Sequence, residues 1–175
     1  MMQKKEEFPS VFLQTGDCYL AVQPTMVTTV LGSCVAVTMT HPGKGIGAIC
    51  HAFLPDSLEG QRRGERDPQI CRYVDTAISN MLQGMNKLRV PISELQVKLF
   101  GGASGLAVRH TEHSTYNVGQ RNVDAAKKML SDWGLRVETM DVGGNRGRKI
   151  HYLTHSGEVW MKRLADQPPA QPSGR

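Results

Sequence analysis

The sequence predicts an α/β (α+β) domain, a mixed and largely antiparallel sheet covered by helices. Three observations carry this. Short β-rich runs broken by Gly, Pro, Asp and Thr fill the N-terminal third, two later segments space their apolar residues helically, and β-rich runs resume after the second. With 175 residues there is room for one principal core. Residues 1–165 are therefore read as a single domain, and 166–175, ending in QPPAQPSGR, as a disordered Pro-rich tail.

The elements follow in order. Residues 12–53 read as several strands and turns. Asp67-Pro68 offers an N-cap and a first-turn proline for a helix whose apolar stripe is Ile70, Tyr73, Val74, Ala77, Ile78, Met81, Leu82 and Met85. Residues 95–100 alternate as a strand that stops at Gly101-Gly102, and a polar loop runs on to Gly119. A second helix then places Val123, Ala126, Met129, Leu130 and Trp133 on one side, with Gly134 as its stop. Residues 135–142, 149–154 and 158–164 are strands, the last two joined as a hairpin through His155-Ser156-Gly157.

Composition narrows the class. Hydrophobic residues at 39% and charged residues at 21% exclude a disordered or fibrous chain. The N-terminus lacks a signal-peptide core, and no apolar run approaches the roughly 20 residues that cross a bilayer. Four irregularly spaced cysteines, Cys18, Cys34, Cys50 and Cys71, form neither a disulfide framework nor a CxxC pair, so a reducing cytoplasm is expected. The net charge of +5 names no partner by itself, and basic aromatic motifs for nucleic acid are missing.

The informative stretch is TTVLGSCVAVTMTHPGKGIGAICHAFLP, residues 28–55. A hairpin turn centred between Pro42 and Gly43 opposes Cys34 to His51, Val35 to Cys50, Val37 to Ala48 and Met39 to Ile46. One face of this ribbon is then wholly apolar, and the other carries Cys34 and His51. Because L-Pro-Gly suits a two-residue hairpin poorly, a longer loop stays open. An imidazolium beside a thiol would stabilise the attacking thiolate and could later protonate a leaving group. The N–H groups around Gly32 and Ser33 are candidates for holding an oxyanion, which makes acyl transfer the natural chemistry. A buried, unreactive Cys34 is the alternative from spacing alone. A zinc set of Cys18, Cys34, Cys50 and His51 fares poorly, because adjacent strand residues face opposite ways.

Other segments carry less. GGNRGRK (143–149) lacks phosphate-loop spacing and reads as a turn; FGGASG (100–105) reads as a structural or site-lining loop. His110 and His113 sit in a polar stretch without an HExxH arrangement.

Taken together, TTVLGSCVAV with Thr28 six residues before Cys34, the HAFLP ending at residues 51–55, the lysine-led FGGA at 98–103, NVGQRN at 117–122 and GGNRGRKIHYLTHSGEV at 143–159 resemble the chemoreceptor glutamine deamidase CheD family. The resemblance covers most of the chain from about residue 18 to 164. It implies a cytoplasmic, cofactor-free and metal-free cysteine hydrolase that converts chemoreceptor glutamines to glutamate. It further implies Cys34 as nucleophile, His51 as general acid/base and Thr28 as a third catalytic residue orienting His51 or the substrate. It also implies an α/β sandwich similar to the cytotoxic necrotizing factor deamidase domain, and a CheC-type phosphatase as a possible partner. Rival readings are a receptor- or CheC-binding adaptor without catalysis, and a cysteine esterase or peptidase using the same pair.

Overall fold

The computed structural model describes residues 7–64, 69–104 and 117–165. Within them the chain runs β1 (Ser10–Phe12), β2 (Cys18–Ala21), β3 (Met26–Leu31), β4 (Val35–His41), β5 (Ile46–Cys50), α1 (Ser57–Arg62), α2 (Val74–Lys87), β6 (Gln96–Gly101), α3 (Val118–Asp132), β7 (Val137–Val142), β8 (Arg148–Leu153) and β9 (Val159–Arg163). The strands form two sheets, ordered β1-β3-β8-β9 and β2-β5-β4-β6-β7. Each is mixed: β1 runs parallel to β3 and β6 to β7, while the other neighbours are antiparallel.

The two helical stripes explain one side of the five-stranded sheet. In α2, Val74, Ala77, Ile78, Met81, Leu82 and Met85 are buried at three- and four-residue spacing. In α3 the same holds for Val123, Ala126 and Leu130. Both stripes pack on Val35, Val37, Met39, Ala48, Cys50 and Ala52. Some ends differ from expectation. Ile70 is 59% exposed and belongs to a separate 3-10 turn, Ile70–Arg72, so the α2 stripe starts at Val74. Trp133 closes α3 as an exposed cap residue. Helix α3 also begins earlier than expected, at Val118, because the Asn117 side chain accepts from the Gln120 N–H. The short α1, capped by Asp56, has no apolar periodicity and escapes sequence reading. The expected cap Asp67-Pro68, His110, His113 and the tail lie outside the described residues.

The other side of that sheet is covered by a second sheet, not by helices. Ala36, Ile49 and Phe100 pack there against Val27, Leu31, Ile150 and Tyr152. The layers are therefore helices, five-stranded sheet, four-stranded sheet, and the β4–β5 ribbon lies at the centre.

The ribbon's register corrects the sequence reading. Pro42–Lys44 form a 3-10 turn closed by Gly45 at φ 63, which makes a four-residue loop in place of the two-residue one. Met39 then opposes Ala48, His41 opposes Ile46, and Val35 opposes Ala52. Cys34 consequently does not oppose His51. Since the displacement is two residues, every side chain keeps its face.

A second correction concerns the cysteines. Cys18 and Cys71 are joined in a disulfide with Cα atoms 5.8 Å apart, tying β2 to the turn that leads into α2. They stand 53 residues apart in sequence, so only the packing of β2 against α2 brings them together.

Candidate functional site

Cys34 lies on the link between β3 and β4, half-buried. Three consecutive carbonyls around it are anchored to the protein. The Gly32 carbonyl accepts from the Ala103 N–H at 2.9 Å, the Cys34 carbonyl from the Gly102 N–H at 2.8 Å, and the Ser33 carbonyl from the Asn122 amide at 3.0 Å. Such close approach explains the FGGA segment: a Cβ on Gly101 would stand 2.2 Å from the Cys34 carbonyl oxygen. Gly101 and Gly102 also adopt φ 107 and 67, which side chains oppose. FGGA is thus the clamp on the cysteine loop. Gly32, by contrast, faces open space.

Because the peptide bonds are trans, anchored carbonyls turn the attached N–H groups the other way. The N–H groups of Ser33 and Cys34 donate to no other residue among the described residues. Beside this link opens a cavity of about 350 Å³ lined by Gly32, Ser33, Ala103, Ser104 and Arg146, among others. GGNRGRK borders it as the turn between β7 and β8. Its Arg148 is buried and bonded to Asp141, Gly143 and Arg146, which leaves that guanidinium committed to the turn and not to a phosphate.

His51 follows β5 and is only 3% exposed. Its backbone is held by the Asp17 carbonyl and the Gly16 N–H. The ring nitrogen Nδ1 lies 2.7 Å from Thr29 Oγ1, and that hydroxyl donates its proton to the Leu13 carbonyl at 2.9 Å. Thr29 must therefore accept from Nδ1–H. The neutral ring carries its proton on Nδ1 and keeps Nε2, 3.4 Å from Thr15 Oγ1, as its basic nitrogen.

Cys34 and His51 share the side of the ribbon that faces the second sheet, on a diagonal one pair apart, and among the described residues no hydrogen bond joins the thiol to the ring. Thr28 is not brought to them. Its hydroxyl bonds His151 Nδ1 at 2.8 Å, so the orienting contact expected of Thr28 on His51 is made by Thr29. The reason is strand alternation: Val27, Thr29 and Leu31 point inward, while Met26, Thr28 and Val30 point outward. That alternation was visible in the sequence; Thr15 and the Leu13 carbonyl left no local signal there, and Asn122 stood out only as the last residue of NVGQRN, without a role.

Burial pushes the Cys34 thiol up, against the opposing effect of its own N–H. Burial also pushes His51 down, opposed by the Leu13 carbonyl and the Asp17 charge. Both shifts favour the neutral forms, a thiol and an imidazole. Cys50, wholly buried on the helix side, is pushed up to about 12. With Cys18 bonded to Cys71, and Cys50 and His51 on opposite faces, the zinc set considered above is not assembled.

Comparison with known proteins identifies the family. A family profile, CheD chemotactic sensory transduction, matches residues 53–163. The chain is 53% identical to the probable chemoreceptor glutamine deamidase CheD of Maridesulfovibrio salexigens, over 94% of this chain and 97% of that one. That span takes in Cys34 and His51, which precede the profile's match. It is 46% identical to the probable chemoreceptor glutamine deamidase CheD 2 of Geobacter sulfurreducens over 94% and 96%. It is 36% identical to the chemoreceptor glutamine deamidase CheD of Thermotoga maritima over 85% and 88%.

Proposed function

The chain belongs to the CheD family, and from that premise we propose that it is a protein-glutamine deamidase that hydrolyses side-chain amides of chemoreceptor glutamines to glutamate. The observation that carries the mechanism is the half-buried Cys34 thiol on the same ribbon face as a histidine whose tautomer is fixed by Thr29.

Neutral His51 takes the thiol proton on Nε2 as Cys34 Sγ attacks the amide carbon, and the former amide oxygen becomes an oxyanion. The C–N bond then breaks while His51 returns the proton to nitrogen, and ammonia leaves a thioester. Water, deprotonated by His51, adds to that carbonyl; the C–S bond breaks, releasing glutamate and regenerating the thiol. The Thr29–Leu13 relay steadies the imidazolium formed at each step. We assign the oxyanion contact to the N–H groups of Ser33 and Cys34, and the approach of substrate to the cavity beside Gly32. Thr28, on the outer face with His151, is left a receptor-facing role.

In the same reading, residues 1–165 are one deamidase domain with the sandwich of the cytotoxic necrotizing factor deamidases. The protein works in the cytoplasm on the receptors' cytoplasmic part, with a CheC-type phosphatase as partner. No helix among the described residues is long and apolar enough to cross a membrane.

The test is incubation with a chemoreceptor cytoplasmic fragment, followed by peptide mass spectrometry. Glutamine-to-glutamate conversion by the native chain and none by Cys34→Ala is expected. No conversion on several receptors that bind normally would return the protein to the adaptor reading.

A further inference from the structure

The residue that holds the cysteine loop from beneath is Asn122, wholly buried on the first turns of α3. Its amide nitrogen bonds two carbonyls from different parts of the chain, Ser33 at 3.0 Å and Phe53 at 3.2 Å. The first belongs to the peptide that carries the Cys34 N–H; the second lies two residues beyond His51. One side chain thus links the two ribbon ends that bear the candidate nucleophile and base. Its oxygen, Oδ1, is buried and has no hydrogen-bond partner among the described residues.

We infer that Asn122 is a positioning residue for the oxyanion donor: by fixing the Ser33 carbonyl inward it aims the Cys34 N–H at the amide oxygen under attack. The peptide plane leaves no alternative, because carbonyl and N–H of a trans peptide point in opposite directions. Gly32 and Cys34, whose carbonyls are clamped by Ala103 and Gly102, restrain the planes on either side. Asn122 touches no substrate atom; it acts through the backbone it holds. The inference rests on Cys34 being the nucleophile.

The test separates a step that develops an oxyanion from one that does not. Deamidation passes through a tetrahedral oxyanion, whereas alkylation of Cys34 by iodoacetamide displaces iodide without one. Asn122→Ala should lower kcat for deamidation by about tenfold to a hundredfold, below the loss seen when a donor itself is removed. KM and the Cys34 alkylation rate should stay within about threefold of the native protein. The nearly isosteric Asn122→Leu serves as the second variant. It fills the same space with no donor at any pH, so it should show the same loss of kcat with the Cys34 alkylation rate kept.

Equal losses of alkylation and deamidation in Asn122→Ala would overturn the inference, because the loop would simply have collapsed. Native kcat in either variant would overturn it as well. Should Asn122→Ala not fold, Asn122→Leu decides. A Cys34→Ala control that still deamidates would instead remove the underlying reading, leaving the two failures distinct.

Discussion

The two faces of the β4–β5 ribbon differ in chemistry and, at Cys34, in burial. Toward the helices, Val35, Val37, Met39, Ala48, Cys50 and Ala52 join one apolar cluster, and the Cys50 thiol is a small hydrophobe. Toward the second sheet, Cys34 and His51 share the layer with Ala36 and Ile49, but Thr29, the Leu13 carbonyl and Thr15 surround the imidazole with partners. Burial on the first face produces an inert core. On the second it produces a histidine with a defined proton position, because Thr29 and Thr15 meet its two ring nitrogens.

The contrast can be broken most sharply at the two cysteines. Cys34→Ala should remove deamidation by more than about a thousandfold, while Cys50→Ala keeps activity within about threefold and costs on the order of 1 kcal/mol of stability. Mass spectrometry of a receptor fragment and urea unfolding check the pair. Equal loss in both variants would erase the distinction between the faces.

A smaller effect is expected at the threonines. Thr29→Val leaves Nδ1–H without its acceptor and should reduce kcat by about tenfold to a hundredfold, whereas Thr28→Val, on the outer face, should change it by less than about threefold. The reverse order would reinstate Thr28 as the residue that serves His51. Labelling gives a third comparison without substrate. In the folded protein at neutral pH, Cys34 should react with iodoacetamide at least about tenfold faster than Cys50, with the gap closing in denaturant.

The smallest effect is on stability against pH. His51 is pushed below its ordinary value by burial, so the unfolded chain binds the proton more readily than the folded one. The stability held by neutral His51 is complete above about 6.5 and is lost as pH falls below that toward the lower folded value. Thermal unfolding should show a decline over that window which flattens in His51→Gln.

The disulfide gives an independent check on the helix side. Closing a 53-residue loop restrains the unfolded chain by about 4 kcal/mol in the chain-entropy model, so reduction should lower the unfolding temperature without altering the Cys34 alkylation rate.

Much of the fold was legible because its signals are local. The stripes of α2 and α3, the strand at Leu99 and Phe100, and the β8–β9 hairpin all follow from residue spacing. The ends were less so. The start of α2 depended on a 3-10 turn covered by β2 through Cys18–Cys71, and α1 has too few apolar residues to show a period. At the site, the shared face of Cys34 and His51 was readable, but Thr28 was given the place that strand alternation reserves for Thr29.

What the sequence by itself determined is parity: which residues of a strand look the same way. A loop lengthened by two residues moves the register by a whole pair and leaves every face unchanged, so the assignment of Cys34 and His51 to one side survived an incorrect turn. Tertiary structure alone decided partnership. The Leu13 carbonyl, Thr29, Asn122 and the Cys18–Cys71 bond join segments 16 to 89 residues apart. Such pairings depend on how the layers stack, and no spacing within a single strand or helix encodes that.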